Sequence, residues 1–155
     1  IRLEPTRLDL LIDDTLLGID SFAANYSAKI KVKYSCQKSQ VVLCDTAKIE
    51  QVLDNLIVNA IKYSEEPRSV KIVLEDAGTK INISVVDNGF GVPEKDIHRI
   101  FERFYRVDKA RSREAGGSGL GLSIVKHIID RHSESIEVHS EEGVGTTFRF
   151  TLTKA

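Results

Sequence analysis

The sequence predicts an α+β fold: one mixed, mostly antiparallel sheet with helices on one face, forming a two-layer α/β sandwich. Segments with two-residue alternation, typical of strands, are gathered on both sides of a long irregular middle region. Two segments, beginning near residues 8 and 47, have apolar residues at helical spacing. Between the groups of strands, residues 88–118 are rich in glycine and charge. Such a stretch is too long for a plain connection, which is typical of a functional loop.

The composition is that of an ordinary globular domain and excludes several function classes. Of the 155 residues, 41% are hydrophobic and 29% are charged, with a net charge of −1. This balance predicts no general attraction to nucleic acid or acidic lipid. No apolar run is long enough to span a bilayer, so we expect no direct membrane insertion of this domain. The two cysteines do not form the pattern of a disulfide framework.

The first half of the chain is predicted to be helix, two strands and helix. The first helix carries apolar residues at helical spacing: Leu8, Leu11, Ile12, Leu16 and Ile19. The segments KIKVKYSC and VVLCD have the composition of strands. We predict that Thr46 caps a second helix, running from Ala47 to Tyr63.

The second half is predicted to contain two hairpins on either side of the irregular region. SVKIVLED and KINISVVD form a hairpin that turns at Ala77-Gly78-Thr79. A short helix is expected over Glu94–Phe101, and a longer one over Gly119–Arg131. SIEVHSEE and TTFRFTLT form the closing hairpin, around Gly143-Val144-Gly145.

The helix IEQVLDNLIVNAIKYS carries an unusual polar stripe beside its core stripe. Asn55 and Asn59 are four residues apart, about 6 Å along the helix axis, and Lys62 and Tyr63 follow one turn later. An amide oxygen is a hard ligand that suits Mg²⁺, and a lysine can contact phosphate as a point charge. The alternative is a solvated polar face. The predicted core stripe is Ile49, Val52, Leu53, Leu56, Ile57 and Ala60.

The stretch ISVVDNGFGVP places a carboxylate, Asp87, at the end of an apolar strand. A carboxylate there could accept a hydrogen bond from an exocyclic amine such as that of adenine. Gly89 and Gly91 allow backbone conformations and close approaches that a Cβ forbids. The alternative is an ordinary Asp-Asn-Gly turn without a ligand.

The stretch GGSGLGLSIVKHII places four glycines at the start of a helix. Exposed backbone amides at a helix N-terminus can bind phosphate. The spacing is neither that of a P-loop nor G-x-G-x-x-G, so those motifs are excluded. A flexible loop before an ordinary helix is the alternative.

The stretch RIFERFYRVDKARSRE interleaves aromatic and basic residues. Such a pattern can bind single-stranded nucleic acid, or pack as a solvated basic segment. Because it lies between two glycine-rich loops in a chain of balanced charge, we favour a lid whose cations approach a triphosphate.

In this order, the motifs resemble those of the ATP-binding catalytic domain of bacterial sensor histidine kinases. These kinases belong to the GHKL group, with gyrase, the mismatch-repair ATPases and a heat-shock chaperone. NLIVNAIKYS resembles the N box, DNGFGVP the first glycine box, FERFYR the F box and GGSGLGLSIVK the second glycine box. EGVGTTF resembles the closing hairpin. The resemblance extends from about Leu8 to Leu152.

The resemblance implies a Bergerat fold that binds ATP and Mg²⁺. It implies that Asp87 accepts from the adenine amine, that Asn59 ligates Mg²⁺, and that Asn59, Lys62 and Arg106 serve catalysis. The residues that it places around the nucleotide are Asn55, Asn59, Lys62, Tyr63, Asp87, Gly89, Gly91, Val92, Ile100, Phe104, Gly117, Ser118, Gly119, Leu120, Gly121, Leu122 and Thr147.

One position favours phosphoryl transfer over hydrolysis. The ATP-hydrolysing relatives have a glutamate four residues before the Mg²⁺-binding asparagine, as the base that activates water. Here that position is Asn55, whose amide cannot accept a proton at neutral pH. We therefore expect a protein histidine kinase domain, with a GHKL-type ATPase or an anti-sigma-type serine kinase as the alternative.

The phosphate acceptor is expected on another domain. None of His98, His127, His132 and His139 has the H-E-x-R-T-P context of the family's acceptor. We predict that residues 1–7 are the remnant of a linker to a dimerisation and phosphoacceptor domain of the same parent protein, and that 8–155 form the kinase domain. The expected downstream partner is a response regulator, and no nucleic acid is expected. The domain is expected in the cytoplasm, with the parent anchored in a membrane.

Overall fold

The fold contains a single seven-stranded sheet in the residues that the computed structural model describes, 1–105 and 121–155. The strand order is β1-β3-β7-β5-β4-β2, with β6 paired to β7. β2 and β4 are parallel, and the other pairs are antiparallel. The predicted fold class is confirmed. The strands are β1 (Glu4–Arg7), β2 (Lys29–Ser35), β3 (Val41–Cys44), β4 (Ser69–Ala77), β5 (Lys80–Asp87), β6 (Ile136–Glu141) and β7 (Gly145–Lys154).

Within residues 1–105 and 121–155, three α-helices lie on one face of this sheet. They are α1 (Leu8–Asn25), α2 (Thr46–Tyr63) and α3 (Gly121–Arg131), and a 3-10 helix spans Glu94–Arg99. α2 is the central helix, since it contacts α1, α3, β4 and β5. None of the helices in the described ranges is long and apolar enough to cross a membrane.

The core forms between α2 and the alternate residues of the central strands. The predicted apolar stripe of α2 is confirmed, because all six residues are at most 3% exposed. On β5, Ile81, Ile83 and Val85 are buried on the side that faces the helices. Because side chains alternate along a strand, Asp87 points to this same side at the end of β5. The strand therefore carries a carboxylate to the edge of the core.

The start of α2 differs from the prediction by one residue. Asp45, not Thr46, caps the helix, and its carboxylate accepts from the backbone N–H of Lys48 at 3.3 Å. Thr46 is the first helical residue, and its hydroxyl contacts Thr6 and Glu4 instead. Asp and Thr are both favoured at helix N-caps, so residue type alone does not show which of Asp45 and Thr46 caps the helix.

The N-terminal segment adds an edge strand that the sequence analysis did not assign. Glu4–Arg7 pairs antiparallel with Val41–Cys44, and Thr6 is buried between them and α2. The description of residues 1–7 as a linker remnant stays a prediction.

Candidate functional site

Asp87 is a buried carboxylate with one oxygen occupied by the protein. The residue is 8% exposed. Its Oδ1 accepts from the backbone N–H groups of Gly89 at 2.8 Å and Thr146 at 3.3 Å. Among the described residues, no donor reaches Oδ2 and no cation pairs with the carboxylate. Oδ2 can therefore accept a hydrogen bond from a ligand.

The surroundings of Asp87 favour its protonated form. Burial raises the pKa of Asp87 to about 6, even though hydrogen bonds from Gly89 and Thr146 lower it in part. The ionised form carries a desolvation cost that a donor on a ligand would reduce.

The C-terminal turn of α2 lies directly against the loop that follows Asp87. A Cβ placed on Gly89 would lie 2.2 Å from the carbonyl oxygen of Tyr63. Ser64 and Gly89 form an isolated antiparallel bridge. The rings of Tyr63 and Phe90 meet edge to face, with centroids 5.8 Å apart. This contact brings the polar end of α2 beside the buried carboxylate.

Arg68 also binds the C-terminal turn of α2. Its guanidinium donates to the carbonyl of Ile61 at 3.2 Å and to the carbonyl of Ser64. It also lies over the ring of Tyr26, 5.1 Å from the centroid. A cation at a helix C-terminus satisfies otherwise unpaired carbonyl groups and complements the dipole.

The polar stripe of α2 is half-buried. Asn55, Asn59, Lys62 and Tyr63 all have intermediate exposure. Neither asparagine amide nor the Lys62 ammonium has a hydrogen-bond partner in the described parts of the chain. These groups are therefore available to a ligand beside the buried carboxylate, and their role as a binding stripe stays a prediction.

The donor set of this stripe fits Mg²⁺. No cluster of three or more His, Cys, Asp or Glu among the described residues could hold a metal ion. The available oxygen ligands are the neutral amides of Asn55 and Asn59, which lack competing partners in those ranges. Mg²⁺ is commonly held by one or two protein oxygens together with water and phosphate oxygens.

The glycines around Asp87 serve contacts between backbone segments of the protein itself. A Cβ on Gly91, whose φ is +80°, would lie 2.5 Å from the carbonyl oxygen of Glu141. One on Gly145 would lie 2.1 Å from the carbonyl oxygen of Asp87. The close approaches that glycine allows here are therefore made by neighbouring strands and loops of the protein. Asn88 adds bonds to the backbone of Ser69, Glu65 and Pro67.

The closing hairpin contributes Thr146, which the sequence analysis missed. Thr146 is 7% exposed, lies opposite Asp87 in the β5–β7 register and donates its backbone N–H to that carboxylate. Thr147 was predicted instead, but it follows Thr146 and therefore points to the opposite face of the sheet. The rule of alternation, counted from the buried Phe148, could have selected Thr146.

The two phenylalanines of the F box differ, since Phe101 packs inward and Phe104 is exposed. Ile100 is 4% exposed, and the Phe101 ring packs edge to face on Phe148, with centroids 6.1 Å apart. Phe104, predicted to line the nucleotide, is 63% exposed, and Arg103 lies over its ring. Val92 is half-buried and bonds to Ser140.

Part of the predicted site lies outside the described residues. This part consists of Arg106, Gly117, Ser118, Gly119 and Leu120. Gly121 and Leu122 begin α3 and are half-buried.

The four histidines are exposed or have their ring nitrogens hydrogen-bonded. His98, His127 and His139 are exposed. His132 is buried, and both ring nitrogens bond to backbone, one to Asp45 at 3.0 Å and one to Ile128 at 2.9 Å.

Residues 44–155 match the family described as histidine kinase-, DNA gyrase B- and HSP90-like ATPases. The chain belongs to this family. The sensor histidine kinase WalK of Bacillus subtilis is 51% identical over 110 residues, which cover 70% of this chain and 18% of WalK. The sensor-like histidine kinase SenX3 of Mycobacterium bovis is 44% identical over 126 residues, which cover 81% of this chain and 31% of SenX3. The chain thus spans less than a third of these relatives.

Solved structures agree with the sequence comparisons. The nucleotide-free catalytic domain of the histidine kinase ThkA has a TM-score of 0.86 at 29% identity, covering 99% of this chain and 97% of that one. Full-length ShkA in complex with AMPPNP has a TM-score of 0.85 at 27% identity, covering 100% of this chain and 32% of that one. ThkA bound to the response regulator TrrA has a TM-score of 0.81 at 28% identity, covering 99% and 42%. The predicted resemblance is confirmed: the domain is of the histidine kinase catalytic type.

Proposed function

We propose that this domain binds Mg-ATP and donates the γ-phosphoryl group to a histidine on a separate dimerisation domain of the same parent protein. One observation carries the proposal. The buried Asp87 carboxylate has an oxygen that accepts no hydrogen bond from the described residues, and the nearby end of α2 carries amide and ammonium groups without a partner in those residues. This arrangement suits a ligand with an amine at one end and phosphates at the other. The AMPPNP held by the similar ShkA supports the same chemistry.

The base would be recognised by Asp87. Its Oδ1 is already occupied by Gly89 and Thr146, which fixes the carboxylate and leaves Oδ2 for the exocyclic amine. A neutral amine donor lowers the cost of keeping this acid ionised in a buried place. The β5 strand end and the closing hairpin together form the floor for the base.

The phosphates would be held at the C-terminal half of α2. Asn59 would ligate Mg²⁺, which when bound neutralises charge on the phosphate oxygens. Lys62 would contact phosphate directly, and Asn55 and Tyr63 would line the nucleotide. Phosphoryl transfer needs mainly positioning and charge neutralisation, which these groups supply. Arg106 is proposed to face the phosphates on the basis of the family resemblance alone.

Asn55 favours transfer over hydrolysis. An amide at this position can orient a group but cannot remove a proton from water. We therefore propose histidine as the acceptor, with a response regulator downstream and a membrane-anchored parent.

The binding step is tested by thermal unfolding of the chain with AMPPNP, with and without Mg²⁺. We expect stabilisation by the analogue that increases when Mg²⁺ is present. Absence of a shift under both conditions would contradict nucleotide binding. A shift that Mg²⁺ does not alter would contradict the role of Asn59.

The transfer step is tested by adding ATP and the parent's dimerisation domain. A phosphoryl product that is acid-labile and base-stable is expected for phosphohistidine. An acid-stable product would favour the serine-kinase alternative. Steady-state phosphate release by the isolated domain would favour the ATPase alternative.

A further inference from the structure

Ser140, near the end of β6, joins the two segments that surround Asp87. Its hydroxyl accepts from the backbone N–H of Val92 at 2.7 Å, in the loop after β5. The same oxygen lies 2.8 Å from the hydroxyl of Thr146 and 3.2 Å from the carbonyl oxygen of Gly145, both on β7. One side chain thus links the loop after Asp87 to the strand opposite it.

The three contacts match the capacity of a single hydroxyl. A serine hydroxyl has one donor and two acceptor lone pairs. All are used when Ser140 donates to Gly145 and accepts from both Val92 and Thr146. Because Ser140 is half-buried, its removal would leave these groups with incomplete hydrogen bonding.

The same loop and hairpin make further backbone contacts that depend on their separation. Gly143 donates its N–H to the carbonyl of Phe90 at 2.9 Å. Gly91 approaches Glu141 so closely that a Cβ on the glycine would lie 2.5 Å from that carbonyl oxygen. A change in the distance between loop and hairpin would therefore disturb both of these contacts.

The loop and the hairpin each supply one of the two N–H groups that bind Asp87 Oδ1. Gly89 donates from the loop at 2.8 Å, and Thr146 donates from β7 at 3.3 Å. These two bonds fix the rotation of the carboxylate, and with it the direction of Oδ2. A residue that sets the spacing of loop and hairpin consequently sets where the carboxylate points.

We propose that Ser140 is a positioning residue for nucleobase recognition, because it holds the Val92 and Thr146 segments in the register that aims the Asp87 carboxylate. Ser140 acts through these segments and does not itself contact the nucleotide. This inference rests on the proposed function, since it assumes that Asp87 reads a purine amine.

The test compares ADP with purine riboside diphosphate, which lacks only the exocyclic amine, by calorimetry with Mg²⁺. The proteins are the wild-type chain and the variants Ser140→Ala and Ser140→Thr. We expect the wild type to prefer ADP. In Ser140→Ala the ratio of ADP affinity to purine riboside diphosphate affinity should be roughly fivefold smaller. Ser140→Thr should restore this ratio because threonine also carries a hydroxyl.

Ser135→Ala is the matched control, because Ser135 also contributes a hydroxyl, which lies 3.4 Å from that of Thr151 at the other end of β6. It should leave the preference unchanged. Thermal unfolding of each variant separates an effect on carboxylate position from a general loss of stability. A merely structural role would lower the melting temperature and weaken the binding of both nucleotides equally.

Two results overturn the inference. If wild-type chain prefers ADP and folded Ser140→Ala keeps the whole preference, Ser140 does not position the carboxylate. If Ser140→Thr fails to restore a preference lost in Ser140→Ala, the hydroxyl is not the active feature. Failure of the wild type to bind ADP would instead reject the proposed function.

Discussion

Gly89 contacts Tyr63 more closely than any residue with a Cβ could: the added atom would lie 2.2 Å from the Tyr63 carbonyl oxygen. Through this contact the end of α2, with Asn59 and Lys62, is held beside Asp87. The glycine is therefore required by the assembly of the site from two distant segments of the chain. This packing role of Gly89 does not depend on any contact with a ligand.

Gly89→Ala should destabilise the chain by roughly 2 kcal/mol or more, because backbone atoms must move to admit the methyl group. It should also weaken nucleotide binding, since α2 and the Asp87 loop would separate. Chemical denaturation and calorimetry with ADP measure the two effects. Gly18→Ala is the control: nothing lies within 4 Å of its Cβ, and alanine in a helix should stabilise by about 0.5–1 kcal/mol. Equal effects of the two substitutions would contradict the steric explanation.

Nucleotide affinity should fall at acid pH. Burial raises the pKa of Asp87 to about 6, and the protonated acid would present an O–H donor to the amine donor of adenine. Between pH 7.5 and pH 5 the affinity for ADP should therefore decrease roughly tenfold. Calorimetry across this range measures it. The effect should be absent in Asp87→Asn, and a pH dependence that persists in that variant would assign it to another group.

Asp87→Asn should make the ligand-free chain more stable at neutral pH. The folded state holds the Asp87 proton more tightly than the unfolded state, so the contribution of Asp87 to wild-type stability falls as pH rises from about 4 to about 6 and then levels off. At about 1.4 kcal/mol for each unit of pKa shift, the cost at pH 7.5 is about 3 kcal/mol. The neutral amide avoids this cost.

The stability gain of Asp87→Asn should shrink as pH is lowered to 4.5, where the wild-type carboxyl is mostly protonated in the folded state. Denaturation midpoints of both proteins at pH 7.5 and 4.5 measure this. A constant difference at the two pH values would show that desolvation of the charge is not its source.

Asn55→Glu should increase phosphate release from ATP by the isolated chain. It places a carboxylate base one helical turn before Asn59, where an amide now prevents proton removal from water. Coupled-enzyme measurement of steady-state hydrolysis gives the rate. Asn55→Gln, which has the same length without a base, is the control. Equal rates in the two variants would mean that position 55 does not decide between transfer and hydrolysis.

The central strands of the sheet and the core of α2 could be predicted from local pattern, whereas the edge strand β1 was missed. Alternation in KINISVVD placed Asp87 at the end of β5, and helical spacing selected the buried stripe from Ile49 to Ala60. Such patterns are set by burial, which acts on each residue through its own element. The candidate site was predicted from the same kind of signal, since motifs at strand and helix ends are local features as well.

Contacts between distant segments could not be predicted in the same way. Ser140, Arg68 and the Gly89–Tyr63 approach depend on which loop packs against which strand, and residue spacing does not report this. Thr147 was chosen over Thr146 because two threonines stand together and one step along a strand reverses the face. The cap at Asp45 was missed for a similar reason, since either neighbour had suitable chemistry.

The central claim is that Asp87 reads the exocyclic amine of a purine nucleotide. Calorimetric titration of the wild-type chain and Asp87→Asn with ADP and with purine riboside diphosphate, all with Mg²⁺, tests it most directly. We predict that the wild type binds ADP at least about fivefold more tightly than the diphosphate lacking the amine, and that Asp87→Asn has lost this preference. The same ratio of affinities in both proteins would contradict the claim.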